Sequence, residues 1–173
     1  MRIISGSLKG KSIDFVRNSN TRPLKDSVKE NVFNILKHSK LVDVKIENSE
    51  VLDLYSGIGS FGIESISRGA NKVTFLEKDQ LAYKILSENL NRLSILNKAE
   101  LFNFEVESYL EKNKRGKFNI FFFDPPFLDN SFSKNLKLIK KNNLYKKKNI
   151  IIIHREKKNY ENLGKYIDIV LTK

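Results

Sequence analysis

A chain of 173 residues, 40% hydrophobic and 30% charged, suits one soluble domain with a single core and leaves little room for a second. It has no cysteine, which excludes disulfides, thiolate catalysis and cysteine-ligated zinc and fits a reducing cytoplasm. No apolar run approaches the roughly 20 residues of a membrane helix, and the N-terminus lacks the apolar stretch of a secretory signal. The net charge of +12 points to a polyanionic partner, since neutralised phosphates release counterions; the joint abundance of Lys, Asn and Ile is also what AT-rich codon usage produces.

Residues 1–20 read as a basic extended arm, carrying Arg2, Lys9, Lys11 and Arg17, with Gly6 and Gly10 suggesting a hairpin. A single domain over residues 21–173 is expected to follow. Ser27-x-x-Glu30 is a candidate capping box ahead of Val28, Val32, Ile35 and Leu36 at helical spacing. Strand and helix then alternate. Strands are predicted at Val51 to Tyr55, Lys72 to Glu77, Glu100 to Phe104, Asn119 to Phe123, Ile150 to His154 and Tyr166 to Leu171. Helices are predicted at Phe61 to Arg68, Gln80 to Leu93, Val106 to Lys112 and Phe132 to Lys141. This alternation predicts an α/β fold, a mostly parallel sheet with helices on both faces. Ligands of such sheets sit beyond the carboxyl ends of the strands, so chemistry is sought just after Tyr55, Glu77, Phe104 and Phe123.

Asp53-Leu54-Tyr55-Ser56-Gly57-Ile58-Gly59-Ser60-Phe61-Gly62 turns the first strand into a helix. Glycines admit positive φ and close approach of a ligand to the main chain, and free N–H groups at a helix start favour polar or anionic atoms. Alone, such a loop is only a tight turn. Glu77, at the end of the next strand, is where an acid gripping ribose hydroxyls is expected. Loop and acid together specify a nucleoside-containing cofactor. Asp53 is placed to meet an ammonium rather than a pyrophosphate, which weighs against a dinucleotide.

The fourth strand delivers Asp124-Pro125-Pro126-Phe127. Each proline fixes its own φ, lacks an N–H and extends the residue before it. The result is a stiff turn presenting acceptors only, the Asp124 carboxylate and neighbouring carbonyls, with the flat face of Phe127 beside them. Methylation of a planar amine needs this arrangement. The nitrogen lone pair is delocalised into the ring, so acceptors on its two N–H bonds orient it and stabilise positive charge as the methyl arrives. An aromatic platform holds the base by stacking, and a paired target base must first be extruded. The two histidines, His38 and His154, have too few companions to suggest a metal and are expected to be structural or superficial.

These segments resemble the RsmD family of bacterial 16S rRNA guanine-N2 methyltransferases. The resemblance rests on Arg2-Ile3-Ile4-Ser5-Gly6 with Lys9-Gly10-Lys11, Thr21-Arg22-Pro23, and Asp26 through Leu36. It continues through Leu52 to Gly59, Phe61-Gly62-Ile63-Glu64, Ser67-Arg68-Gly69-Ala70, Leu76 to Asp79 and Asp124 to Phe127, and so spans most of residues 1–127. It implies a class I S-adenosylmethionine-dependent methyltransferase (Rossmann-like) fold, with S-adenosyl-L-methionine as donor and S-adenosyl-L-homocysteine as product. The implied target is the exocyclic N2 of a guanine in 16S rRNA, within the small subunit or its assembly intermediate, acted on by a cytoplasmic monomer. By position, Gly57 and Gly59 border the methionine end of the cofactor and Glu77 holds its ribose. Asp124, Pro125 and Phe127 hold the guanine, while Arg2, Lys9, Lys11 and Arg22 contact RNA. Glu105 stands where the family usually has Asp or Asn near the adenine. His154-Arg155-Glu156 replaces a more acidic strand end. A single strand-like stretch follows the fifth strand where the fold normally has a closing pair, which leaves an apolar sheet edge needing cover.

Two other readings are compatible with parts of this pattern. A DNA adenine-N6 methyltransferase uses a similar turn but usually carries a target-recognition domain for which 173 residues leave no room. A non-catalytic RNA-binding assembly factor on the same scaffold is at odds with an intact Asp124 and Gly57-x-Gly59.

Overall fold

The computed structural model describes residues 1–15, 24–113, 116–126, 131–155, 164, 167–170 and 172. In chain order the elements are α1 (Asp26–His38), β1 (Glu50–Asp53), α2 (Ser60–Ser67), β2 (Lys72–Leu76), α3 (Gln80–Arg92), β3 (Ala99–Phe102), α4 (Val106–Lys112), β4 (Phe118–Phe123), α5 (Phe132–Lys141) and β5 (Tyr145–Ile153). The five strands form one sheet in the order β3-β2-β1-β4-β5, and every pairing is parallel. This is the class I methyltransferase fold.

The central strands are short apolar runs because both of their faces are covered. Successive side chains point to opposite faces. Val51, Val73, Phe75 and Phe122 therefore pack under α1, α2 and α3 with Phe33, Phe61, Ile63, Leu86 and Leu90. Leu52, Leu76, Phe121 and Phe123 pack under α4 and α5 with Leu110, Phe132, Leu136 and Ile139. Phe61 stacks between Phe33, at 5.1 Å, and Phe122, at 3.8 Å, and the Arg68 guanidinium lies 4.4 Å from the Phe33 ring. That column joins α1, α2 and β4, and so ties the glycine loop to the strand that delivers Asp124.

The first residues are sewn into the domain. Arg2 bridges Ser12 antiparallel, and Ile3, Leu8 and Ile13 belong to the α2-side core. The fully buried Glu64 carboxylate accepts from the Ile4 and Ser5 amides at 2.8 and 2.9 Å and from Arg68 Nε at 2.8 Å. Ser67 Oγ donates to Ser5 O and accepts from Leu8 N. Gly6, at φ +86°, lies so close to α2 that a Cβ would sit 1.9 Å from Ser67 O. Gly6→Ala combines that backbone collision with left-handed strain, and is expected to destabilise the fold by about 2–4 kcal/mol. A thermal melt matching the wild type would show that the turn is free to move off α2.

Three sequence expectations are corrected. The capping box does not form: α1 starts at Asp26 with Lys25 as N-cap and no side-chain cap bond. Ser27 thus lies inside the first turn, where the buried Lys29 ammonium pairs with Asp26 at 3.0 Å. The fifth strand is longer than its apolar stretch. It begins at Tyr145 opposite Phe118, and a register shift lets Lys146 to Asn149 bulge before Ile150 pairs with Ile120. Of the expected last strand, Tyr166 and Leu171 lie outside the described residues, and Ile167 to Val170 between them are not in a strand. Among the described residues no helix is long and apolar enough to cross a membrane.

Candidate active site

The strand order brings Asp53, Glu77 and Asp124 onto one edge. Sequence-distant β1 and β4 are the central neighbours, and the order reverses between them; open α/β sheets bind ligands at such a point. At the carboxyl edge the row runs Glu77 after β2, Asp53 closing β1, Asp124 after β4 and His154 after β5. The β1–β4 register pairs Asp53 with Phe122, and Leu54 N donates to Phe122 O at 3.0 Å. The glycine loop and the Asp124 turn therefore leave from adjacent strands, about 4.8 Å apart.

The two loop glycines do different work. Gly57, at φ +52°, has open space where a Cβ would stand, so its main chain is accessible to a ligand. Gly59, at φ +87°, is required by packing, because a Cβ there would lie 2.4 Å from Leu86 on α3. Ser56 Oγ donates to Asp53 O and accepts from Leu76 N, at 2.8 and 3.1 Å. The buried Asn89 amide of α3 donates to Asp14 O at 3.0 Å and to Ile58 O at 3.4 Å, linking the N-terminal segment to the loop.

This edge is acidic although the chain as a whole carries +12. Asp53 is 1% exposed. Its Oδ2 accepts from Gly62 N at 3.1 Å, while Oδ1 is buried without a partner. Burial pushes its carboxyl up to about 8; the Gly62 amide pulls the other way, and the charges of Asp124 and Glu77 push further up. Glu77 accepts from Gly57 N at 2.7 Å and Asp79 N at 2.8 Å. Burial raises its pKa more than those amides lower it. Carboxyls held in this way gain from a cation arriving among them and would repel a pyrophosphate.

Asp124 is half-buried, Pro125 buried and Pro126 exposed. Asp124 Oδ1 lies 2.8 Å from His154 Nδ1, and a carboxylate can only accept, so Nδ1 carries the proton. The sequence alone predicts a structural or superficial His154, and the sheet places it beside Asp124: Phe123 pairs with Ile153, and His154 N donates to Phe123 O at 2.8 Å. Its contact with Asp124 joins residues 30 positions apart in the chain, which no local pattern encodes. The hydrogen bond to Asp124 raises the imidazole pKa above its ordinary 6.5, against a smaller opposing effect of burial.

Glu105 precedes α4 on the same edge. It is exposed, 3.5 Å from Lys78 Nζ, and lines a shallow groove of ≈ 590 Å³ with Lys78, Asp79, Asn103, Phe104 and Ser108. Asn103 stiffens this side by donating to Glu77 O and Lys78 O at 2.8 and 3.1 Å. Phe104 is 46% exposed there, a flat apolar face where the sequence shows only the end of a strand. Arg2, Lys9 and Lys11 are exposed on the N-terminal turn. Arg22 and Phe127 lie outside the described residues.

The profile of the family described as Conserved hypothetical protein 95 matches residues 1–172. Ribosomal RNA small subunit methyltransferase D of Buchnera aphidicola (subsp. Acyrthosiphon pisum) is 36% identical over 156 residues, 90% of this chain and 78% of that protein. Its namesake in Haemophilus influenzae is 35% identical over 91% of this chain and 79% of its own length. Among solved structures, yhhF of Escherichia coli superposes with a TM-score of 0.79 at 30% identity, covering 92% of this chain and 82% of that one. On the strength of the whole-length match, the shared fold and the conjunction of glycine loop and Asp-Pro-Pro turn, this chain belongs to the RsmD methyltransferase family.

Proposed function

We propose that this protein transfers a methyl group from S-adenosyl-L-methionine to the exocyclic N2 amine of a guanine in 16S rRNA. It would work as a cytoplasmic monomer on the small ribosomal subunit or its assembly intermediate. The observation that carries the reading is the acidic carboxyl edge, in which Glu77 and Asp53 adjoin Asp124 across neighbouring strands. Its relatives named ribosomal RNA small subunit methyltransferase D support the rRNA substrate.

The residues present fit the donor. Asp53 keeps an unpartnered buried oxygen, suited to an ammonium. Gly57 offers open main chain, and Glu77 offers a carboxylate for ribose hydroxyls. Phe104 and the neighbourhood of Glu105 supply an exposed surface for a purine. When bound, S-adenosyl-L-methionine supplies a methyl group activated by its sulfonium. The protein's own part is to hold the amine. Asp124 accepts from one N–H, a main-chain carbonyl of the proline turn accepts from the other, and both stabilise the positive charge that develops on nitrogen. The alkylated nitrogen is acidic enough to lose its proton to water. Holding nucleophile and donor on adjacent turns supplies much of the acceleration, and the exposed Arg2, Lys9 and Lys11 meet phosphates.

The test is transfer of tritiated methyl from S-adenosyl-L-methionine to small subunits, naked 16S rRNA and DNA, followed by nucleoside analysis. Label is expected in rRNA as N2-methylguanosine. Label on DNA alone overturns the substrate. Cofactor binding without any transfer favours an assembly factor instead.

A further inference from the structure

We infer that His154 is a positioning residue for Asp124, clamping one carboxylate oxygen so that the other is aimed at the substrate amine; the inference rests on the function proposed above.

The geometry is built into the sheet. β4 and β5 run parallel with Phe123 opposite Ile153, so the next residues, Asp124 and His154, emerge side by side in the same direction. The main-chain bond from His154 N to Phe123 O, at 2.8 Å, fixes the backbone beneath the imidazole. The side-chain contact of 2.8 Å joins Nδ1 to Oδ1. A carboxylate rotates about its Cβ–Cγ bond unless something engages it; with Oδ1 engaged, Oδ2 has a defined direction. Asp124 is 28% exposed on its side chain and His154 42%, so the pair sits at the mouth of the site, where a base can enter and Nε2 can exchange protons with solvent.

Among the described residues, Asp124 is the charged group in contact with the imidazole. On α5 the Phe132 ring takes up the Arg155 guanidinium, 4.4 Å away. Along the edge on β1, Asp53 feels the charge of Asp124. Both forms of His154 can keep Nδ1–H on Asp124. The imidazolium draws negative charge from the carboxylate, whereas the neutral ring leaves it available to the amine. Turnover therefore rises as His154 loses its proton. Asp53 acts on the donor side, so its titration appears in the KM for S-adenosyl-L-methionine rather than in kcat.

Two measurements decide it. NMR titration of the histidine side chains is expected to place His154 above the ordinary histidine range, and Asp124→Asn is expected to bring it down. In methyl transfer to small subunits, His154→Ala is expected to lower kcat roughly 10- to 100-fold with little change in KM for the donor. His154→Asn, whose amide N–H reaches the position of Nδ1, is expected to recover most of the rate and to lose the rise of kcat with pH. A His154 titration that is ordinary and insensitive to Asp124→Asn overturns the inference. Wild-type kcat and pH profile in His154→Ala overturn it too, as do equal losses in the Ala and Asn variants. If the wild-type protein methylates no rRNA, the functional reading fails, and the NMR titration still decides whether the pair exists.

Discussion

Asp124→Ala is expected to lower methyl transfer by on the order of 10²–10³-fold at saturating donor and rRNA, the loss typical of removing one preorganised electrostatic partner from a transition state. In the proposed reaction the attacking nitrogen is a poor nucleophile because its lone pair is delocalised into the ring, and it recovers nucleophilicity only as an acceptor draws on its N–H. The main-chain carbonyls of the proline turn survive the substitution, so loss is deep rather than total. Asp124→Asn keeps an acceptor oxygen without the charge and is expected to fall between. Folding should be largely spared, because Asp124 is half-exposed and its side-chain bond to His154 lies at the rim. Donor affinity should be spared as well, since Gly57, Glu77 and Asp53 stand on other strands. Tritium transfer, equilibrium binding of S-adenosyl-L-methionine and a thermal melt check the three statements. An Asp124→Ala enzyme within a few-fold of wild type would remove the acceptor turn from the mechanism.

Asp53→Asn is expected to make the ligand-free protein more stable at neutral pH, by about 3–5 kcal/mol, while weakening donor binding. Asp53 is fully buried, and its carboxyl is raised from 3.8 to about 8. Below pH 4 both folded and unfolded chains hold this proton and the site costs nothing. As pH rises towards 8 the unfolded chain releases it and the folded chain does not, so stability drains away across that interval and levels off above it. Glu77 is also raised by burial, and acts with the same sign. His154, raised by its bond to Asp124, likewise contributes stability at low pH that is lost as pH climbs through its folded pKa. The wild-type melting temperature should thus decline relative to Asp53→Asn between pH 4 and 8, and comparing the two cancels the effect of net charge common to both. A cationic ligand reverses the balance, so binding of S-adenosyl-L-methionine should tighten up to about pH 8 and release a proton, measurable by calorimetry in buffers of different ionisation enthalpy. Parallel stability profiles for the two proteins would mean that Asp53 is ionised in the fold.

Both predictions concern residues that can be picked out one by one along the linear chain. The glycine loop, Glu77 and the Asp-Pro-Pro turn each carry local chemistry: a positive φ, a strand-end acid, a turn without donors. Elements with strong periodicity are equally legible, and α4 and α5 begin and end where their apolar spacing places them. Boundaries fail where long-range pairing overrides composition. Lys146, Lys147 and Lys148 do not read as a strand, yet pairing of Tyr145 with Phe118 draws them into β5. Ser27 has the signature of a cap, but α1 starts at Asp26 and leaves Ser27 inside the first turn, beside the pair of Asp26 with the buried Lys29. Glu64 is buried because the Ile4 and Ser5 amides, distant in the chain, converge on it in the interior.

What the amino-acid order determined by itself was therefore the set of parts: short buried strands, the helices between them, and the glycine and Asp-Pro-Pro turns. That information is local, because strand period, helix period and turn geometry each depend on a handful of consecutive residues. Only the tertiary structure decided that these parts meet. The order β3-β2-β1-β4-β5 sets residue 53 beside residue 122 and residue 123 beside residue 153, which gathers three carboxyls along one edge and adds a histidine to the turn. Which strands become neighbours is settled by the packing of both sheet faces at once, and no window along the chain contains it.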